Sequence, residues 1–321
     1  MIHINDQDID QTTEIAALYY LQEITQEELA RRYNTSRSRI SRILKLARES
    51  GIVQIHVRAN PNIVWRFETE FQKRFGLTKL LVSLDQPTAD AQRIATGTLV
   101  AAYLDQIMID GMTVAVGMGR NVFSITEAPG TPKPRQVVFA SSIGGSFRGG
   151  KNINPDQIAR RLEQRYGGFS KTLYAPAVVD TRELKEALMR NETVKEALDC
   201  ARHADVALIG LGDLSEDSNL IRMGLLTLQD ITQASVAGTV GDMMGHDFIT
   251  IDGRTTESMI EGRVIGLSRQ DLHGISNVIA IASEPTKTAI ILGALRTGVI
   301  NTLATSMANA AAVLALDEAT R

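Results

Sequence analysis

Arg31-Arg-Tyr-Asn-Thr-Ser-Arg-Ser-Arg-Ile-Ser-Arg-Ile-Leu-Lys-Leu-Ala-Arg-Glu-Ser-Gly51 carries seven basic side chains (Arg31, Arg32, Arg37, Arg39, Arg42, Lys45, Arg48) and no acidic one before Glu49. From Ser36 onward Ile40, Ile43, Leu44 and Ala47 recur at helical spacing and form one apolar stripe. Ser36 suits the N-cap of that helix and Gly51 its stop. Ser38, Ser41, Arg42 and Lys45 fall on the face opposite the stripe, with Arg37 and Arg39 flanking it. Such a helix can lie in a DNA major groove, where Arg reads guanine and Ser reaches bases or phosphates. The reading sets Thr35, Ser36, Arg37, Ser38, Arg39, Ser41, Arg42 and Lys45 against DNA.

The flanks support this over a merely solvated basic surface. Thr12 to Gln22 reads as an amphipathic helix, and Thr25-Gln-Glu-Glu28 as a capping box opening a short second helix. With Asn34-Thr35 as the turn, helix, turn and basic helix make a helix-turn-helix. Ile52, Val53, Ile55 and Val57 then alternate as a strand of a wing. Residues 1–30 hold seven acids and no Lys or Arg, so charge is segregated although the net charge is only −3.

At 321 residues, 44% hydrophobic and 22% charged, the chain has an ordinary globular composition and length for two domains. A single cysteine, Cys200, excludes an internal disulfide framework and suits a reducing cytoplasm. There is no signal-peptide pattern and no apolar run long enough for a membrane helix. The five histidines are scattered, and Cys200 with His203 is only one helical turn, so no metal site is expected. No dinucleotide fingerprint or Walker loop appears, and no cofactor is expected.

Asn60-Pro61-Asn62 marks a boundary, giving domains 1–59 and 60–321. Ile63, Val64, Phe67, Phe71 and Phe75 form a helical apolar face for core packing or a dimer seam. Strands are expected at 80–84, 113–116, 136–141, 206–211, 264–267, 278–282 and 299–304. Helices are expected at 91–107, 155–166, 181–202, 286–296 and 307–316. The alternation indicates an α/β domain with a doubly wound, mostly parallel sheet, whose ligands bind beyond the carboxyl ends of the strands. The loops there contain Gly117, Gly119, Arg120 and Asn121; Gly144 and Gly145; Gly212 and Asp213; Asp242; and Glu284 with Lys287. Glycine admits close backbone approach, Arg120 and Lys287 favour a phosphate or carboxylate, and Asp213 and Asp242 can accept hydrogen bonds from sugar hydroxyls.

Tyr19-Tyr20, Thr25-Gln26, Ala30, Ser38-Arg-Ile-Ser-Arg-Ile-Leu44 and Gly51-Ile-Val53 resemble the N-terminal pattern of the SorC family, the sugar-binding, DeoR-related bacterial transcriptional regulators. Val240-Gly241-Asp242 with Gly245, Val264-Ile-Gly-Leu267, Val278-Ile279, and Lys287 with Ala289-Ile290 and Ala294-Leu-Arg296 resemble its effector domain, which is related to sugar-phosphate isomerases and deaminases. The resemblance spans nearly the whole chain. It implies a regulator of carbohydrate or polyol catabolism that binds double-stranded operator DNA as a homodimer or homotetramer and responds to a sugar, sugar phosphate or polyol. It also implies that Gly119, Arg120, Asn121, Asp242 and Lys287 line the effector pocket. The chain departs from the family at Gly117-Met118-Gly119-Arg120-Asn121, where Ser-Trp-Gly-Arg-Thr is usual, at Ser283-Glu284, where Gly-Gly is usual, and at Thr305-Ser306-Met307-Ala308, where Thr-Asp-Glu-Ala is frequent. Glu284 would repel a phosphate if it pointed into the cradle, so all three effector classes stand. A sugar-phosphate isomerase or hydrolase with an appended helix-turn-helix is the alternative, and a protein-docking role for the N-terminal helices a third.

Overall fold

In the N-terminal unit, α1 (Asp6–Tyr20), α2 (Gln26–Arg32) and α3 (Arg37–Glu49) pack three apolar faces together. Ile15, Ala16 and Leu18 of α1, Leu29 and Ala30 of α2, and Ile40, Leu44 and Ala47 of α3 are all buried. Burying each large aliphatic side chain contributes about 1.5–3 kcal/mol, which offsets the low stability of such short helices alone. The computed structural model describes residues 6–53, 61–146, 148, 153–257 and 260–321, and the chain divides into two units, Met1–Arg58 and Ala59–Arg321. Ile52 and Val53 pack against the three-helix core; the rest of the expected wing strand lies outside the described residues.

The larger unit opens with α4 (Pro61–Phe75). Phe71 is fully buried and Val64, Phe67 and Phe75 pack partly against the same core, the core-packing role. The strands β1 (Lys79–Ser83), β2 (Thr113–Val116), β3 (Val138–Ser141), β4 (Phe169–Lys171), β5 (Val206–Asp213), β8 (Asn277–Ile281) and β9 (Thr302–Ser306) form a parallel sheet. Its order is β1-β9-β8-β5-β2-β3-β4. From β2 the chain winds outward through β3 and β4, then restarts at β5 on the other side of β2. The switch point therefore lies between β2 and β5, where open α/β sheets hold ligands. Strands such as Val278 to Ile281 are apolar throughout because helices cover both faces. Among those helices are α5 (Ala89–Ile107), α7 (Pro155–Tyr166), α13 (Thr288–Arg296) and α14 (Met307–Ala319).

Three expectations change. The segment 264–267 is not a sheet strand; it makes isolated bridges, Val178 to Val264 and Ile143 to Gly266, with neighbouring loops. The single helix at 181–202 is two, α8 (Arg182–Met189) and α9 (Glu192–Arg202), because Asn191 caps the second by accepting the Val194 N–H at 3.3 Å. Val240-Gly241-Asp242 is not a loop but part of β6 (Thr239–Met243), which pairs with β7 (Asp247–Thr250). β6 also runs antiparallel to the protruding end of β5, setting Asp242 opposite Gly212.

Candidate functional site

On α3, Ser36 accepts the Arg39 N–H at 3.2 Å, and Gly51 takes the left-handed conformation (φ +79°) that ends the helix. Asn34, at φ +46°, makes the turn from α2, a conformation its short polar side chain tolerates. Thr25 caps α2 by accepting the Glu28 N–H at 3.3 Å. Of the residues assigned to DNA, Ser36, Arg37, Ser38, Arg39, Ser41, Arg42 and Lys45 are exposed and Thr35 half-buried. Lys45 lies 3.6 Å from Glu49, and Arg42 Nε donates to the Ser38 carbonyl at 3.4 Å. Both contacts are loose and solvent-facing, so the guanidinium and ammonium groups remain available to a polyanion.

In the larger unit, Gly119, Arg120, Asn121, Gly212, Asp242 and Lys287 line one narrow cleft at the carboxyl ends of β2 and β5, together with Gly210, Asn219 and Gly245. Its volume is about 30 Å³, room for one or two waters. The other sequence candidates lie around it. Gly117 packs on the Leu208 carbonyl, to which its N–H donates at 2.9 Å. Gly144 packs on Pro176, where a Cβ would come within 2.5 Å of the backbone. Gly145 borders a separate, open hollow of about 410 Å³ beside α7.

Behind the cleft lies a buried polar network. Glu284 accepts from Arg93 Nη1 at 2.7 Å on one oxygen, and from Asn121 Nδ2 at 2.8 Å and Lys287 Nζ at 3.0 Å on the other. Asn309 Nδ2 donates to the Glu284 carbonyl at 3.0 Å, and Ser283 Oγ donates to Asn121 Oδ1 at 2.7 Å. Arg93 also pairs with Asp90. Burial pushes the Glu284 carboxyl up, but Lys287, Asn121 and Arg93 outweigh it and hold the group well below the usual carboxylate range. Asp213 accepts from Ser215 Oγ at 2.5 Å and from Thr286 Oγ1.

Asp242 differs. It is buried, accepts the Gly245 N–H at 2.7 Å, and forms no ion pair among the described residues. Burial raises its pKa to about 7, against the lowering effects of the Gly245 N–H and Lys287. A Cβ on Gly212 would collide with its carboxylate, so the opposed strands need glycine there. Arg120, at the start of α6 (Arg120–Phe123), donates to Asp217 Oδ2 at 2.8 Å and to the Asp217 carbonyl at 2.9 Å. Arg222 of α10 (Asn219–Arg222) also binds Asp217, and the two guanidiniums, Arg222 first, hold that carboxyl below its ordinary value. Arg120 Nε and Asn219 Oδ1 are buried with no partner among the described residues.

Sequence reasoning missed Arg93, Asn219, Asp217, Ser283 and Asn309. Arg93 carried a signal: it falls in register with Thr96, Val100 and Leu104, the buried stripe of α5, where an arginine needs a buried partner. Asn219 and Asp217 lay in a stretch without periodicity.

Residues 61–315 match the family described as "Putative sugar-binding domain", and residues 10–50 match sigma-70 region 4. The chain belongs to that sugar-binding domain family and, with its helix-turn-helix segment, to the SorC family of transcriptional regulators. It is 28% identical over 312 residues to the transcriptional regulator LsrR of Klebsiella pneumoniae, covering 94% of this chain and 92% of that one. The full-length sorbitol operon regulator SorC of Klebsiella pneumoniae has a solved structure with TM-score 0.74 and 27% identity, covering 97% of this chain and all of that one. The sugar-binding domain of a transcriptional repressor from Vibrio fischeri is 44% identical with TM-score 0.73, over 79% of this chain and 99% of that one.

Proposed function

We propose that this chain is an effector-responsive regulator of a carbohydrate or polyol catabolic operon, acting in the cytoplasm as a homodimer or homotetramer. Residues 1–59 hold operator DNA, with Thr35, Ser36, Arg37, Ser38, Arg39, Ser41, Arg42 and Lys45 at the duplex. Residues 60–321 bind a sugar, sugar phosphate or polyol and assemble the oligomer. The observation that carries the reading is the exposed, cation-rich face of a well-capped α3, in a chain whose remainder belongs to the sugar-binding domain family. Gly119, Arg120, Asn121, Gly212, Asp242 and Lys287 receive the effector, with Asp213 and Glu284 organising them from behind.

The cleft is too small for a sugar as it stands, so entry opens the clasp that Asp217 makes between Arg120 and Arg222. The effector then favours one arrangement of the larger unit and alters DNA affinity by its differential binding. We read the cleft as a binding site; Asp213 is occupied by two hydroxyl donors and Glu284 by three cationic or amide donors, which leaves Asp242 as the carboxylate an enzyme reading would have to use as its base. The test is DNA affinity of the intact protein as a function of salt. Phosphate contacts predict a steep linear fall of log K with log salt concentration. An absence of salt-dependent DNA affinity would turn the helices into a protein-docking module, and turnover of sugar phosphates would restore the enzyme reading.

A further inference from the structure

We propose that the cleft selects an uncharged polyhydroxy effector, a polyol or free sugar, and that Glu284 sets this selectivity by filling the anion cradle with its own carboxylate. The inference rests on the cleft being the effector site. Lys287 Nζ, Arg93 Nη1 and Asn121 Nδ2 converge from three elements on the two oxygens of one carboxylate, at 3.0, 2.7 and 2.8 Å. That donor set suits an anion, and a side chain of the protein already occupies it. The Glu284 side chain is only 11% exposed and those of Lys287 and Arg93 are 9% and 10% exposed, so water does little to weaken these pairs.

An incoming phosphate dianion would therefore find no unpaired cation among the described residues of the cleft, because Glu284, from behind it, already neutralises Lys287. Opening the Asp217 clasp would free Arg120 alone, one guanidinium against two phosphate charges. Hydroxyl groups fit what is left. Asp242 accepts one backbone N–H and has further acceptor positions, Asn219 Oδ1 is an unpartnered acceptor, and Arg120 Nε is an unpartnered donor. Two acceptors and a donor around one cleft match the alternating donor and acceptor capacity of a polyol chain. They leave an unsatisfied polar group for any ligand that brings only acceptors.

The experiment is a thermal-shift titration of the full-length protein with D-glucitol, D-mannitol, D-fructose, the 6-phosphates of each, and inorganic phosphate, comparing wild type with Glu284→Gln and Asp242→Asn. Wild type is expected to respond to a neutral compound at a concentration at least about tenfold below its 6-phosphate. Glu284→Gln is expected to gain a response to inorganic phosphate, because Lys287 and Arg93 lose their anion. Asp242→Asn, which leaves that network intact, is expected to lose the neutral response without gaining phosphate, and it decides the matter if Glu284→Gln does not fold. A wild-type preference for a 6-phosphate would overturn the selectivity and leave the effector site standing. Stabilisation by neither class would overturn the reading of the cleft, and the selectivity with it.

Discussion

Helix α3 and the cleft at the ends of β2 and β5 are both built around arginine and lysine, and they hold these cations in opposite ways. On α3 the cations stand in solvent, and the one ion pair described among them, Lys45 with Glu49, is exposed and loose at 3.6 Å. In and behind the cleft, Lys287 and Arg93 are buried and each is matched to Glu284, and Arg120 to Asp217. Burial is what separates the roles. An exposed cation costs nothing to leave unpaired and can release counterions from a polyanion. A buried one must be neutralised in place, so its charge is matched by a carboxylate of the chain before any ligand arrives. A count of basic residues does not distinguish the two; the apolar stripe next to them does.

The largest effect expected from this contrast is in the cleft. Glu284→Ala would leave Arg93 and Lys287 buried without their shared anion, at a cost of about 3–5 kcal/mol in denaturant unfolding. A loss below about 1 kcal/mol would mean that water reaches the network.

Asp242 gives the next effect. Its folded pKa, about 7, is raised above the unfolded value of 3.8, chiefly by burial. Its contribution is therefore fully present below about pH 4 and is lost as pH rises through about 7, by roughly 4 kcal/mol in total. Asp242→Asn should flatten that segment of the stability profile; an unchanged profile would show that the carboxylate is solvated. Glu284 has the reverse sign, its depressed pKa adding stability that disappears only as pH falls below the ordinary carboxylate range.

On α3 the effects concern binding. Arg42→Ala should weaken operator binding by about 1–3 kcal/mol and relax preference at one base if it reads that base. If it touches only phosphate, the loss should be uniform across DNA sequences, with the salt slope falling by about one. Unfolding should barely change in either case, and equal DNA binding by the variant would remove Arg42 from the interface. The smallest effect is at the cap: Ser36→Ala removes the acceptor for the Arg39 N–H and should cost about 1 kcal/mol, read from hydrogen exchange in the first turn of α3.

The same contrast explains what could be read from the residues alone. The second and third N-terminal helices were legible with their caps because they combine local signals, Thr25, Ser36 and Gly51, with a periodic stripe; the first, read as Thr12 to Gln22 from its stripe alone, runs Asp6–Tyr20. Most of the parallel strands were legible as apolar runs, though the short edge strand β4 was not, and the switch-point rule pointed to loops that meet at the ends of β2 and β5. Legibility ended where a contact depends on register between distant segments. Asp242 reaches the cleft because β6 pairs with the end of β5, and nothing local in Thr239 to Met243 announces an antiparallel partner. Gly117 and Gly144 resemble ligand-binding glycines in sequence but serve close packing on Leu208 and Pro176. Glu284 was legible as a carboxylate at a strand end. Its orientation, away from the cleft and onto Arg93, depended on a residue 191 positions earlier.

The sharpest test is the affinity of the intact protein for a duplex selected from random-sequence DNA, followed by fluorescence anisotropy with and without a polyol or sugar that stabilises the protein. Such a compound should shift DNA affinity at least about fivefold, the lower range of allosteric coupling, while Asp242→Asn should bind the duplex normally but lose the shift. DNA affinity that stays the same when the cleft is saturated would contradict it.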